Sequence, residues 1–142
     1  MTTATRDTQH LSIALRRIEV VLFSNITVEG HLMSRPMLLQ QVDPDCTMWF
    51  FINRHSGFAL DIRQHPQVAV AHEDEAEGSY LAVSGKAWLV DEPELISQWW
   101  RPESLAWFPL GVTDPDLGLL RVDAYSAHRW EQGALHKISL QG

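Results

Sequence analysis

The sequence predicts a mainly β protein with a few short helices: a small, six-stranded antiparallel barrel. Six segments have the β-forming composition and apolar patterning of strands, and turn-forming residues separate them. The strands do not alternate strictly with helices, which argues against a parallel βαβ sheet. A chain of 142 residues is the size of one domain, so we expect a single domain over residues 1–142.

The first part of the chain is expected to hold one helix and three strands. Residues 1–8 are polar, and we expect them to be flexible. Apolar side chains at helical spacing predict a short amphipathic helix over residues 11–18. β-forming stretches then predict an antiparallel meander of three strands, over residues 20–26, 31–42 and 47–52.

A second helix is predicted to begin at Ser56, a good N-cap, and to end at Pro66. Strands over residues 68–72 and 80–90 follow, separated by an acidic turn. Gly85 lies in the middle of the longer strand and predicts a sharp bend or a close approach of backbone.

The last part of the chain is predicted to contain a third helix and a closing strand. Asp91-Glu92-Pro93-Glu94 resembles a capping box, and the helix should extend to about Trp100. We expect Trp99 and Trp100 to fill the core or a subunit interface. The final strand covers residues 119–130, with Leu120 and Val122 facing inward.

Composition excludes several classes of function. The net charge of -7 with only two lysines is unlike a nucleic-acid-binding protein. No apolar run is long enough to span a membrane or to act as a secretory signal. Cys46 is the single cysteine, which favours a reducing compartment, so we expect a cytoplasmic protein. Six tryptophans favour a small-molecule site or an oligomer.

Catalytic signatures are absent from the sequence. The seven histidines show no metal-ligand spacing, so we predict no metal site. No serine lies in a nucleophile-elbow sequence, and no side chain is an obvious general acid or base.

The segment Ser34-Arg35-Pro36-Met37 has unusual chemistry for a strand. Proline cannot donate to a ladder, so Pro36 indicates an edge strand. Arg35 shares a face with Met33, Met37 and Leu39, which indicates either a bound anion or a guanidinium that reaches solvent. The local residues leave both interpretations open.

The junction of strand and helix at residues 51–57 allows two interpretations as well. A helix N-terminus offers free N–H groups and the positive end of a dipole, which suit a phosphate. Ser56 could add a hydroxyl, and Gly57 would let a ligand approach the backbone. An ordinary capped helix start has the same sequence features.

Taken together, the chain resembles the general stress protein 26 branch of the pyridoxamine 5'-phosphate oxidase-like, FMN-binding split-barrel proteins. The resemblance covers residues 12–131. The segments that carry it are His31-Leu32-Met33-Ser34-Arg35-Pro36-Met37, Trp49-Phe50-Phe51, the helix from Ser56 to His65-Pro66, Tyr80-Leu81-Ala82-Val83-Ser84-Gly85-Lys86-Ala87, Ala106-Trp107-Phe108-Pro109, Asp114-Pro115-Asp116-Leu117 and Leu120-Arg121-Val122.

The resemblance implies a homodimeric split β-barrel with flavin at the dimer interface, either FMN or FAD. The implied partners are the flavin nucleotide and a second copy of the chain. The strand through Ser34, Arg35, Pro36 and Met37 would run along the flavin ring. The implied phosphate seat comprises Phe51, Ile52, Asn53, Ser56 and Gly57. Tyr80, Trp107 and Trp130 would border the flavin.

Two positions depart from the family pattern at the phosphate seat. Relatives commonly have Thr where this chain has Ile52, and Lys where it has Phe58. Losing both polar groups weakens FMN binding about a hundredfold, unless Arg54 or the helix start at Ser56 compensates. The resemblance therefore implies a flavin-binding protein and a possible flavin-dependent oxidoreductase. The alternatives are a non-catalytic stress-response module with weakened or lost flavin binding, and an enzyme using deazaflavin or haem.

Overall fold

The structure, a computed structural model, describes residues 5–140. Its helices are α1 (Arg6–Arg16), α2 (Gly57–Gln64) and α3 (Pro93–Trp99), followed by short 3-10 turns at Pro102–Ala106 and Gly111–Thr113. Its strands are β1 (Val20–Ile26), β2 (Leu32–Leu38), β3 (Gln41–Val42), β4 (Met48–Asn53), β5 (Gln67–Asp74), β6 (Ser79–Val90), β7 (Leu117–Glu131) and β8 (Ala134–Ser139). Among these residues no helix has both the length and the apolar character needed to cross a bilayer.

The strands form one antiparallel sheet that curls into a half-barrel, as the sequence predicts. The order is β2-β1-β5-β6-β7-β4-β3, and β8 pairs with β7. Curling brings the edge strand β2 close to β4, although the two do not pair in the sheet. A split therefore lies between β2 and β4, and α2 begins directly after β4.

The core fills the concave side of the sheet. Phe23 of β1 is fully buried and makes edge contacts with two other rings, Phe50 at 5.3 Å and Phe58 at 5.6 Å. Leu11 and Leu15 of α1 add to this cluster. These apolar contacts place β1, β4 and α2 around the split, which is why the split keeps a defined shape.

A second, smaller cluster lies between β4, β7 and α3. Trp99 packs on Trp49 at 5.1 Å between ring centroids, and Trp100 stacks on Phe51 at 6.0 Å. The assignment of Trp99 and Trp100 to the core is thus confirmed. These contacts hold the segment after α3 beside the split.

Several local predictions are confirmed. Leu120 and Val122 are fully buried. Gly85 lies at a β-bulge, and a Cβ atom added there would be only 2.7 Å from the carbonyl oxygen of Asp123. Only glycine allows β6 and β7 to approach so closely.

Predictions at the two ends of the chain were wrong. The first helix begins at Arg6, where Thr5 caps it by accepting a hydrogen bond from the N–H of Thr8, so residues 5–8 are ordered. Residues 1–4 lie outside the described part of the chain. The strand β8 was missed. Its signal is the pair Gln132-Gly133, with φ of 49° and 80°, a two-residue hairpin turn.

The predicted strand over residues 31–42 and one helix cap need correction. Residues 31–42 form two strands, because the chain leaves β1 after Leu38 and joins the opposite edge of the sheet beside β4. With β8, the sheet over residues 5–140 has eight strands, roughly consistent with the six predicted. The N-cap of α3 is Glu92, whose side chain makes no capping hydrogen bond, so the predicted capping box is not formed.

Candidate functional site

The split between β2 and β4 contains a cavity of about 410 Å³. Small-molecule sites in proteins commonly have volumes of about 300–1,000 Å³, so the cavity can hold a flat ligand of nucleotide size. Its lining combines apolar walls with a few polar groups. The lining residues are Arg35, Pro36, Met37, Leu38, Gln40, Phe51, Ile52, Asn53, Ser56, Phe58, Ser104, Trp107 and Phe108.

One end of the cleft is formed by the start of α2. The Ser56 hydroxyl donates to the carbonyl oxygen of Asn53 at 2.7 Å and accepts from the N–H of Ala59 at 3.1 Å. The N–H groups of Gly57 and Phe58 belong to the first turn and therefore have no intrahelical acceptor. This end offers main-chain donors and a positive dipole to an anion.

Arg35 supplies positive charge at the same end. Its guanidinium carbon lies 3.9 Å from the centroid of the Phe58 ring, a cation–π contact. Its Nε is buried and has no hydrogen-bond partner among residues 5–140. Burial lowers the pKa of Arg35, an effect that the charge of Asp61 partly offsets, yet arginine remains protonated in proteins. Arg35 is therefore a positively charged side chain whose Nε–H donor has no partner in the described part of the chain.

Phe58, at the start of α2, contacts both the core and Arg35. One side of its ring is buried against Phe23, and the Arg35 guanidinium lies over the ring. A cation from β2 therefore lies beside the first turn of α2. Ile52 is also part of the core cluster.

Arg54 and His55 do not offer charge to the cleft. The Arg54 guanidinium donates to the carbonyl oxygen of Leu117 through both Nε and Nη2. His55 Nδ1 lies 2.9 Å from a carboxylate oxygen of Asp116. Neither residue lines the cleft. In this structure Arg54 is therefore not placed to supply charge to the cleft, whereas Arg35 lines it.

The other end of the cleft lies where β2 leaves the sheet. Gln40 is only 6% exposed and lies beside Trp49, since its N–H donates to the Trp49 carbonyl oxygen at 2.9 Å. Ser104 and Phe108 from the segment after α3 complete this wall. Trp107 borders the cleft with 64% of its surface exposed, so it can contact a ligand from the solvent side.

The predicted site residues divide into two groups. Those that line the cleft together are Arg35, Pro36, Met37, Phe51, Ile52, Asn53, Ser56 and Trp107. Gly57 is adjacent as the first residue of α2. Ser34 faces the other way, with its hydroxyl 2.7 Å from that of Ser24. Tyr80 and Trp130 are cross-strand partners on the convex face.

Sequence reasoning missed four lining residues: Leu38, Gln40, Ser104 and Phe108. Leu38 and Gln40 lie one and three positions after the Ser34-Arg35-Pro36-Met37 segment, so extending that segment by three residues would have included them. Ser104 and Phe108 come from a loop whose position depends on the packing of Trp99 and Trp100. Across residues 5–140 there is no cluster of three or more His, Cys, Asp or Glu side chains that could hold a metal ion.

Comparison with known proteins identifies the family of this chain. The family model described as pyridoxamine 5'-phosphate oxidase like matches residues 6–140. The chain belongs to the pyridoxamine 5'-phosphate oxidase-like family. Members of this family share the half-barrel seen here, as the structural comparisons show.

Solved structures similar to this chain include two general stress proteins. A general stress FMN/FAD binding protein from Xanthomonas citri is 27% identical, with a TM-score of 0.73 over 97% of this chain and 98% of that one. A Clostridium acetobutylicum protein related to general stress protein 26 has a TM-score of 0.81 at 14% identity, over 94% of each chain, and supports the fold alone.

A curated relative is protein bli-3 of Neurospora crassa. It is 28% identical over 108 residues, which is 70% of this chain. The aligned part is 52% of that protein, so this chain corresponds to about half of its length.

Proposed function

We propose that this protein binds a flavin nucleotide, FMN or FAD, in the cleft between β2 and β4. The observation that carries the proposal is the pairing of Arg35, whose buried Nε has no partner, with the open start of α2 at one end of a long apolar cleft. A phosphate next to both would satisfy the guanidinium and the first-turn N–H groups together. The apolar walls suit a flat ring system.

The residues of the cleft fit such a ligand in two parts. Arg35, Ser56 and the N–H groups of Gly57 and Phe58 would hold the phosphate. The unpaired edge of β2 at Pro36 and Met37, with Phe51, Asn53 and Trp107, would hold the ring. When bound, the flavin supplies the redox chemistry, and the chain orients it and limits its contact with water.

FMN and FAD would differ in their contacts only at the open side of the cleft. The Xanthomonas citri relative is described as binding FMN or FAD. Trp107 lies at that open side with most of its surface exposed, so the adenylate part of FAD would extend past it into solvent. We therefore propose that both nucleotides bind, with the shared phosphate and ring contacts giving similar affinities.

We also propose that the protein is a homodimer that buries the convex face of the sheet. Aligned across six strands on this face are Ser34, Ser24, Ala69, Ser84, Ser126 and Ser139. Large apolar side chains flank this row and are exposed: Val20, Leu22, Tyr80, Trp130 and Leu135. A flat, uncharged row with an apolar border is suited to a self-complementary interface. In such a dimer Tyr80 and Trp130 would reach the flavin of the other copy.

The test of flavin binding is an absorbance spectrum of the purified protein, followed by titration with FMN and FAD. We expect a flavin spectrum or quenching of flavin fluorescence with saturable, one-to-one binding per chain. Reduction of the bound flavin by NADH or NADPH under anaerobic conditions would then test whether the protein is an oxidoreductase. A colourless protein that quenches neither flavin would refute the proposal.

The second candidate is a binding module that has lost the flavin. Ile52 and Phe58 favour it, because both are apolar and buried at the phosphate seat. It predicts a homodimer with no affinity for FMN or FAD. Haem is a less suitable alternative, since Met37 is the only residue in the described lining of the cleft with a side chain of a type that ligates haem iron. A cytoplasmic location is consistent with the buried free thiol of Cys46, and cell fractionation would test it.

A further inference from the structure

A second cavity lies between the end of α1 and the segment that joins β2 to β3. Its volume is about 340 Å³, which is within the range of small-molecule sites. It shares Gln40 with the cleft and no other residue of the two described linings. The charged residues of its lining are Arg16, Arg17, Glu19 and Arg101. We call this cavity the arginine pocket.

The arginine pocket is positive in a chain that is negative overall. Its three guanidinium groups and the carboxylate of Glu19 give its wall a net charge of +2, three positive charges and one negative. The whole chain carries -7. None of the three arginines forms an ion pair within residues 5–140. Like charges around one cavity repel each other, and an anion bound there would relieve that repulsion.

Two of these arginines are held in place by the main chain. Arg16 Nε donates to the carbonyl oxygen of Val42 at 3.1 Å, and Arg101 Nη2 donates to that of Gln40 at 2.8 Å. The two carbonyl groups are two residues apart, which in an extended segment is on the order of 7 Å. A guanidinium group has five N–H donors, so each arginine keeps most of its donors for a ligand. The main-chain bonds therefore hold two cations close together.

Ordinary structural roles account for only part of this arrangement. Arginines at the end of a helix complement the negative end of its dipole, and Arg16 and Arg17 lie at the end of α1. However, Arg101 belongs to the segment after α3, which the dipole of α1 does not position. Conversely, the open carbonyl groups of the edge strand β3 explain the positions of Arg16 and Arg101 but not that of Arg17. Neither role explains why all three line the same cavity.

We propose that the arginine pocket binds a small molecule that carries two or more negative charges, a polycarboxylate or a phosphate ester. Two charges on the ligand would match the net charge of the wall. The oxygen atoms of a carboxylate or a phosphate can also accept paired N–H groups from a single guanidinium. The three arginines are exposed, so the binding should weaken as the salt concentration rises. The inference goes beyond the proposed flavin function, since none of these arginines lines the cleft.

Calorimetric titration of the full chain at constant ionic strength tests the proposal. The probes are citrate for the carboxylates, glycerol phosphate for the phosphate esters, and acetate as an anion with a single charge. We expect saturable binding of citrate or glycerol phosphate, one per chain and about tenfold or more tighter than that of acetate. The tighter of the two probes identifies the class of the natural ligand.

Substitutions then locate the site. Arg17→Gln and Arg101→Gln should each weaken the binding about tenfold, through loss of a charge-assisted hydrogen bond. Arg17→Gln leaves both main-chain bonds of the pocket intact, so a loss there cannot come from a displaced β3. The matched control is Arg63→Gln, which removes an exposed arginine from the last turn of α2 and changes the net charge equally. It should bind the probe as the wild type does.

The cleft is tested as a competing site with Arg35→Met, which removes its cation and should leave probe binding unchanged. Weaker probe binding in Arg35→Met would assign the anion to the cleft and overturn the inference. An equal loss in Arg63→Gln and Arg17→Gln would show attraction to the overall charge only, and would overturn it as well. So would the absence of saturable binding below about 10 mM. None of these outcomes changes the flavin titration, so the two proposals fail separately.

Discussion

The guanidinium group of Arg35 packs on a buried ring, and Arg35 also lines the cleft. It lies on the ring of a buried phenylalanine, and its Nε has no partner. A planar guanidinium can stack on a ring and still donate to a phosphate at its rim, which an ammonium group cannot do. If a phosphate binds at the start of α2, Arg35 from β2 is placed to provide the cation there, although Phe58 on α2 carries no charge.

Replacing Arg35 tests this assignment directly. Arg35→Met should weaken FMN binding by about tenfold to a hundredfold, the loss of a charge-assisted hydrogen bond worth about 1.5–3 kcal/mol. Arg35→Lys should recover part of the affinity, because it keeps the charge and loses the stacked geometry. Fluorescence titration measures both. The control is Arg121→Met, which removes an arginine paired with Asp123 outside the cleft, and an equal loss there would contradict the assignment.

Cys46 gives a prediction about pH and stability. Burial and the nearby Asp45 raise its pKa from 9.0 to about 12, while Arg16 acts weakly in the opposite direction. Between these values the unfolded thiol loses its proton and the folded one keeps it, so the free energy of unfolding falls as pH rises. The slope attributable to this residue is about 1.4 kcal/mol per pH unit.

Denaturant unfolding from pH 8 to pH 11 would measure that slope. Cys46→Ala should have a shallower dependence over this range, although it loses the hydrogen bond from the thiol to the carbonyl oxygen of Thr8. Identical slopes for the two proteins would contradict the raised pKa. In the folded wild type, the thiol should also react with an alkylating reagent only as fast as the protein unfolds.

Two glycines, Gly85 and Gly57, differ in the space available for an added side chain. At Gly85 an added Cβ would lie 2.7 Å from a backbone oxygen of β7 and 2.9 Å from Val122 Cγ1. At Gly57, the first residue of α2, it would meet nothing within 4 Å. Position 85 requires glycine because β6 and β7 lie so close together there. No contact within the chain requires glycine at position 57.

This difference predicts opposite results for two alanine substitutions. Gly85→Ala should lower the free energy of unfolding by about 1–3 kcal/mol, because β6 and β7 must separate locally. Gly57→Ala should change it by less than about 0.5 kcal/mol. If a phosphate lies against the start of α2, Gly57→Ala should nevertheless weaken FMN binding. Unchanged FMN affinity in Gly57→Ala would argue that the ligand does not approach that part of the backbone.

At the scale of the whole molecule, the convex face of the sheet is the proposed dimer interface. Its central row is small and uncharged although the chain carries a net charge of -7. An arginine placed in this row would have to be buried at the proposed interface without a partner, which is strongly unfavourable.

Ser84→Arg should therefore convert the dimer to a monomer at micromolar concentration, as measured by light scattering. If Tyr80 and Trp130 complete the cleft of the second copy, FMN affinity should fall in parallel. Gln98→Arg on the exposed side of α3 is the control and should remain dimeric. A wild-type protein that is monomeric at this concentration would contradict the dimer itself.

The sequence by itself determined the strand-rich fold, most of the strands and the family. Some signals depend on residues that are close together in the sequence or on the backbone conformation of a single residue. Examples are the alternation of apolar positions, the glycine at position 85 and the capping serine Ser56. The signal of β8 was present as well, in Gln132-Gly133. The local chemistry of residues 34–37 and 51–57 left two interpretations open, and it was the family resemblance that selected them as site residues.

Only the tertiary structure decided how the ends of the cleft are built. Arg35 reaches Phe58 because curling of the sheet brings β2 to α2, and Gln40 is buried because the chain crosses to β4 after Leu38. Arg54 is withdrawn from the cleft by a carbonyl group that is 63 residues away in the sequence. Contacts of this kind depend on the closure of the whole sheet, which a local pattern of residues does not encode.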